Sequence, residues 1–142
     1  MGRLFPNKKN GGFTLPELLI TMAIIAILAG IAVPIFLGQR EKAAHSEAKA
    51  NLEAIRLLEE QYFAENGNYG PDGQYNYKKG DTSLQALLPG FTPGNPATLK
   101  FDYELAIWGN GAAFTATATG KTGSFVEGAT FSIDQDNNRS GF

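Results

Sequence analysis

The residue best placed to do chemistry is Glu17, a carboxylate at the start of an apolar run. Residues 18–37 are almost entirely apolar, and a helix of about 20 such residues can span a bilayer. An unpaired carboxylate in hydrocarbon costs several kcal/mol, so ionisable residues in such places are usually functional. Glu17 must therefore be protonated or find a cation. The alternative is an acid that only complements the dipole at the N-terminus of a helix.

Conventional catalytic groups are scarce. His45 is the only histidine and the chain has no cysteine, so thiol chemistry and thiolate metal sites are excluded. The sequence contains no Ser/His/Asp arrangement, phosphate-binding glycine loop or zinc-ligand spacing. We therefore expect no enzymatic activity, and we interpret His45 as a surface or interface residue.

One weak metal candidate lies near the C-terminus. Asp134, Asp136 and Asn138 place side-chain oxygens at alternate positions, as at the start of a calcium-binding loop. The following glycine and the closing glutamate of an EF-hand are missing. Two interpretations stay open, a looser calcium site and a polar tail after the last strand. The sequence predicts no other metal or cofactor.

The charge distribution is asymmetric. The chain has a net charge of −2, and all three charged residues before Gly12 are basic (Arg3, Lys8 and Lys9). The remainder carries 9 basic and 14 acidic residues, a net charge of −5. An acidic soluble part argues against nucleic acid as a partner, because phosphate contacts need clustered cations.

The basic leader, residues 1–12, ends in a glycine pair before the apolar run. A secretory signal has the reverse order, with its apolar core before the cleavage site. Cleavage at Gly12 would therefore leave the apolar helix on the product. Lys8 and Lys9 would hold the leader in the cytoplasm, by the positive-inside bias. We expect a single pass through the cytoplasmic membrane with the soluble part outside.

These residues resemble a known family. The stretch Gly12-Phe13-Thr14-Leu15-Pro16-Glu17-Leu18-Leu19-Ile20, with Pro34 closing the run, is similar to the class III signal of type IV pilins and type II secretion pseudopilins. The resemblance implies cleavage by a prepilin peptidase after Gly12, N-methylation of Phe13 and an assembly role for Glu17. It also implies a pilin head. Pro16 departs from the family's usual Ile or Val, but proline is tolerated in a first helical turn.

Cleavage would create the counter-charge that Glu17 needs. The new α-amino group of Phe13 can pair with Glu17 of a neighbouring copy, which satisfies two charges and fixes the axial stagger of the subunits. We therefore expect a homo-oligomeric pilus or pseudopilus filament that is extracellular or periplasmic. A pilus or secretion assembly machinery would build it. The alternative is a membrane-anchored extracytoplasmic binding module that never polymerises.

The helix should have a weak section. Gly30, Pro34 and Gly38 follow one another at intervals of four, and glycine costs about 1 kcal/mol and proline about 3 kcal/mol in a helix interior. We expect residues 30–38 to be helical in an isolated subunit and able to unwind in a filament. A fixed kink is the alternative.

The fold class is α+β. After the membrane or filament-core half of the helix (13–38), an amphipathic half (39–66) precedes a globular head (67–142). Apolar residues spaced by three and four predict one buried stripe, namely Ala44, Ala48, Leu52, Ile55, Leu58 and Tyr62. Residues 67–98 are turn-rich, with a short helical turn over 83–88. Alternating apolar residues from Leu99 onwards predict an antiparallel sheet of three or four strands packed against the helix.

Overall fold

The computed structural model describes residues 11–142. The chain divides into two compact units, one ending at Gly38 and the other formed by Gln39–Phe142. One helix, α1 (Leu15–Asn66), contributes to both units. The rest of the second unit is a sheet with one short helix and its connections.

Both ends of α1 have local causes. Pro16 is the second residue of the helix and lies in the first turn, where a missing amide hydrogen costs nothing. At the other end the Gly67 amide donates to the Phe63 carbonyl (2.7 Å), and Gly67 has a φ of 77°. That conformation favours glycine. The predicted stop at Asn66-Gly67 is confirmed.

The second half of α1 packs through the predicted stripe. Ala44, Ala48, Leu52 and Ile55 are buried in the core of the second unit, while Leu58 and Tyr62 are half-buried against it. On its outer side Arg56 and Glu53 form an ion pair three residues apart (3.4 Å). The stripe therefore predicted which side of the helix faces the sheet.

The sheet has five antiparallel strands in the order β1-β2-β3-β4-β5, one more than the upper count predicted from sequence. Its strands are β1 (Gly73–Tyr77), β2 (Phe101–Trp108), β3 (Ala113–Gly120), β4 (Thr130–Asp134) and β5 (Arg139–Ser140). The short helix α2 (Ser83–Leu87) lies between β1 and β2, where a helical turn was expected. Fold class and strand direction are as predicted.

The alternation along the strands decides which side chains form the core. In β2, Phe101, Tyr103, Leu105 and Ile107 are buried, and their neighbours are not. The same holds in β3 for the residues that pair with them, since Tyr103 lies opposite Ala118 and Leu105 opposite Ala116. These small side chains leave room above the sheet. The predicted apolar face is confirmed.

Strand β1 lies in the stretch interpreted as a loop. Gly73 and Asn76 have low strand propensity, yet the segment pairs with β2 from Gly73↔Ile107 to Tyr77↔Tyr103. Tyr75 and Tyr77 alternate, and Tyr77 is buried while its hydroxyl donates to the Gly94 carbonyl (2.6 Å). Pairing with a well-formed strand overrides weak local preference.

Candidate assembly segment

Glu17 accepts two hydrogen bonds at the start of α1. The Thr14 amide donates to Glu17 Oε2 (2.8 Å), and the Thr14 hydroxyl donates to the same oxygen (2.7 Å). The Thr14 carbonyl accepts from the Leu18 amide (3.2 Å), which makes Thr14 the cap of the helix. A Thr followed three residues later by Glu is a helix-start signal. The start of α1 was therefore readable from Thr14 and Glu17 in the sequence.

Within the described residues, nothing covers the apolar run that follows Glu17. Every residue of 18–37 is exposed, and Phe13, just before the helix, is 90% exposed. By length and composition α1 contains a stretch able to cross a membrane, and none of that stretch is buried. Such a surface is unfavourable in water, because burying apolar area would stabilise the protein by about 25 cal/mol per Å². It needs lipid or other protein around it.

Gly12 and Phe13 lie before the helix, in exposed chain without regular structure. Nothing in the described part of the chain covers the bond between them. The leader, with Arg3, Lys8 and Lys9, lies outside the described residues apart from its last two glycines. Cleavage after Gly12 stays a prediction.

The weak section is helical here. Helix α1 runs without a break through Pro34, and neither Gly30 nor Gly38 has another group within 4 Å of where a β-carbon would stand. The glycines are therefore not required by close packing in this state. Their roles in a filament stay predictions.

The calcium candidates form a turn that is closed by its own hydrogen bonds. Asp134 Oδ1 accepts from the amides of Asp136 (3.0 Å) and Asn138 (2.8 Å), and Oδ2 accepts from the Asn138 side-chain amide (2.9 Å). This last bond, with the two backbone bonds, holds the pKa of Asp134 below its ordinary value. Within residues 11–142 no group of three His, Cys, Asp or Glu side chains is arranged to hold a metal ion.

His45 lies among aromatic rings. Its ring centroid is 5.2 Å from that of Phe131 and 6.1 Å from that of Phe101, and its Nε2 is 3.9 Å from a Glu41 oxygen. No nucleophile faces it in these contacts. Packing and a weak local pair account for this histidine.

The structure adds a residue that the sequence interpretation missed. Glu59 is 0% exposed, and within the described residues neither of its carboxylate oxygens has a hydrogen-bond partner. Burial, and secondarily the charge of Glu60, raises the pKa of Glu59 to about 8. Its position was readable from the sequence, because Glu59 follows Ile55 by four residues on the buried stripe.

The arrangement is that of a pilin-like protein. A long N-terminal helix has an uncovered apolar first half, and its second half packs on a C-terminal antiparallel sheet. This combination of a helix with an uncovered apolar half and a small sheet domain defines the class.

Comparison with known proteins places the chain more closely. Residues 7–33 match the prokaryotic N-terminal methylation motif. The chain is 46% identical over 63 residues to the type IV major pilin protein PilA of Myxococcus xanthus, covering 44% of this chain and 29% of that protein. It is 36% identical over 89 residues to the type II secretion system core protein G of Vibrio cholerae, covering 63% and 54%.

A longer and weaker similarity reaches further along the chain. The type II secretion system core protein G of Pseudomonas aeruginosa is 26% identical over 119 residues, covering 79% of this chain and 78% of that protein. No solved structure gives a significant match. The chain spans 29% of the Myxococcus relative and 54% of the Vibrio relative. The resemblance to type IV pilins and type II secretion pseudopilins is confirmed.

Proposed function

We propose that this chain is a structural subunit of a type IV pilus or a pilus-like pseudopilus. It is made as a membrane-anchored precursor, cleaved after Gly12, N-methylated at Phe13 and polymerised through its apolar helix. The observation that carries this proposal is the uncovered run from 18 to 37, which begins one residue after a carboxylate. Relatives named as pilus components and secretion core proteins support it.

The apolar run would be covered by two environments in succession. Before assembly, lipid covers it, and the head lies on the extracytoplasmic side. After assembly, the same surface is covered by the helices of other copies. The partners of this chain are then a prepilin peptidase, the assembly machinery and further copies of itself.

Glu17 gives the assembly its register. Thr14 occupies only Oε2, and Oε1 accepts no hydrogen bond within the described residues. Cleavage between Gly12 and Phe13 would create an α-amino group that can approach this second oxygen from a neighbouring copy. The local cap and the contact between copies are therefore compatible, because they use different oxygens of one carboxylate.

The decisive test is the Glu17→Ala variant. We expect it to be inserted in the membrane as well as the wild type is, since it removes a charge from an apolar segment, but to form no filaments. Membrane insertion is measured by extraction at alkaline pH and filaments by electron microscopy. Glu41→Ala is the matched control, because Glu41 is an exposed acid on the same helix beyond the apolar run.

Normal filaments from Glu17→Ala would contradict the assembly role of Glu17. Absence of filaments from the wild type as well would favour the alternative function, an anchored binding module that does not polymerise. Processing is tested separately by the mass of the mature chain, which should begin at Phe13 and carry one added methyl group. Gly12→Leu should keep the leader, whereas Gly11→Ala should not.

A further inference from the structure

The connection between β3 and β4 presents an aromatic ring to two cations. The Arg40 guanidinium carbon lies 4.9 Å from the centroid of the Phe125 ring, and Lys100 Nζ lies 5.8 Å from it. A cation within about 6 Å of a ring centroid is attracted by the ring. Three segments distant in sequence therefore converge on one small surface.

The connection holds Phe125 outward. Phe125 is 42% exposed, whereas the next residue, Val126, is 2% exposed and belongs to the core. The chain around them is fixed by turns, since the Ser124 amide donates to the Lys121 carbonyl (3.1 Å) and the Ala129 amide to the Val126 carbonyl (3.1 Å). Phe125 is thus a partly exposed apolar side chain on a loop that is closed by backbone hydrogen bonds.

The two cations have no acidic partner in the part of the chain that the structure describes. The four ion pairs there include neither Arg40 nor Lys100. Nearby carboxylates have other partners: Asp102 pairs with Lys121 (3.4 Å), Glu127 accepts from the Gly123 amide (2.7 Å), and Glu41 lies 3.9 Å from His45. The surface therefore carries two positive charges that remain free to bind an anion.

Chain connectivity keeps Arg40 close to the end of the apolar run. Arg40 is three residues beyond Leu37, where the apolar run ends, so their Cα atoms are at most about 11 Å apart, whatever the course of the helix. Phe125 and Lys100 are tied to Arg40 by the contacts above. Long cationic side chains reach toward headgroups, and aromatic rings are enriched at membrane interfaces.

We propose that Arg40, Lys100 and Phe125 form a docking surface for the anionic phosphate headgroups of the bilayer that anchors the unassembled subunit. The two cations bind lipid phosphates, and the Phe125 ring enters the interface between them. The inference rests on the membrane anchoring in the proposed function. Docking would hold the head against the membrane until assembly withdraws it.

The test uses the full chain, one copy in each lipid nanodisc. Because the chain has no cysteine, Thr122→Cys gives a unique site for a fluorophore on the exposed side of the same connection. A nitroxide on the lipid headgroups then reports whether this loop touches the bilayer. Discs of phosphatidylcholine are compared with discs that also contain phosphatidylglycerol.

We expect quenching to increase in the anionic discs and to fall again at high salt. Arg40→Gln and Lys100→Gln should each lower the ratio of docked to undocked heads about fivefold, the equivalent of roughly 1 kcal/mol per basic residue at an anionic surface. Phe125→Ser should reduce quenching with the charges intact. Arg56→Gln is the matched control, because Arg56 lies about 24 Å further along the helix and should leave docking unchanged.

Equal quenching in neutral and anionic discs, or no effect of the Arg40 and Lys100 variants, would overturn the proposal. Protection of the loop that appears only when two copies share a disc, without dependence on lipid charge, would assign the surface to a second copy instead. A chain that fails to enter the discs at all would overturn the anchoring itself, and with it the proposed function. Circular dichroism of each variant separates loss of docking from loss of fold.

Discussion

Two carboxylates on one helix, Glu17 and Glu59, have opposite surroundings. Glu17 is exposed and accepts two hydrogen bonds from Thr14, whereas Glu59 is buried and accepts none within the described residues. A buried carboxylate without partners keeps its proton, because losing it would leave an unsolvated charge. The first acid is the one proposed to contact another copy of the chain, and the second acts on the stability of the head.

The stability of the head should fall as pH rises, because of Glu59. Its pKa is about 8 in the folded chain and near its ordinary value, about 4.3, when unfolded, so between these values the folded state binds the proton more tightly. The stabilising effect is complete below about pH 4 and is lost as pH rises through 8, by roughly 1.4 kcal/mol per pH unit. Glu59→Gln should be more stable than the wild type at pH 8 and flatten this slope.

Urea unfolding of the two proteins across this range measures the effect. Glu65→Gln, an exposed position on the same helix, should keep the slope of the wild type. An unchanged slope in Glu59→Gln would mean that other groups set the pH dependence.

Calcium should have little effect on the turn that carries Asp134. Its carboxylate already accepts three hydrogen bonds, and Asn138 presents its NH₂ group to it rather than an oxygen. A bound calcium ion would need these contacts to rearrange. We therefore expect millimolar calcium to leave Tm unchanged, as measured by thermal unfolding with calcium or with chelator. A rise in Tm that is lost in Asp136→Asn would establish the site.

At the scale of elements, the helix and the sheet meet through small side chains. Ala48 on α1 and Ala116 and Ala118 on β3 are fully buried, and the Asn51 side-chain amide donates to the Tyr103 hydroxyl (2.7 Å). Burial raises the pKa of Tyr103 to about 12, so this hydroxyl keeps its proton. Close packing and one part-buried hydrogen bond fix how this half of α1 lies on the strands.

Enlarging one of these alanines should therefore destabilise the head. Ala116→Leu adds a large side chain where the core has no room, which typically costs about 1–3 kcal/mol. Thr117→Leu is the control, because Thr117 faces the other side of the same strand and is only half-buried. The midpoint of urea unfolding should fall for the first variant and change little for the second. Equal midpoints would show that the helix does not need small residues beneath it.

At the scale of the whole molecule, the chain joins a folded head to a helix that cannot be stable alone in water. The second unit has its own core, whereas the described part of the first is an apolar helix without one. The proposed filament would form through the first unit, whose apolar stretch is not buried within the described residues. The weak section, residues 30–38, lies at the end of that unit.

The weak section should matter only when copies pack together. If residues 30–38 unwind in a filament, Gly30→Ala with Gly38→Ala should oppose this by about 1 kcal/mol for each residue and yield fewer or shorter filaments. Electron cryomicroscopy of wild-type filaments should show a break in helical density over 30–38. Ser46→Ala is the control, because it favours the helix outside this section. Continuous density in the wild type would favour a fixed kink.

Short-range sequence patterns predicted much of this protein's secondary structure and its family. The order of basic leader, glycine pair, carboxylate and apolar run indicates the family. It could be recognised from sequence because all four features lie in one continuous stretch of the chain. The helix stop at Asn66-Gly67 and the alternation along β2 and β3 were likewise readable, since the periods of helix and strand are set by the backbone.

Features that depend on contacts between residues distant in sequence became visible only in the tertiary structure. Strand β1 exists because β2 lies beside it, although Gly73 and Asn76 disfavour a strand. Glu59 is buried because the sheet covers its side of α1, and its own type gave no sign of this. Arg40, Lys100 and Phe125 meet because tertiary packing brings together α1, the residue before β2 and the connection between β3 and β4. Short-range sequence patterns therefore predicted the helix, its end and the alternation along the strands. Strand pairing and packing determined which charged side chains are buried and which lie together at the surface.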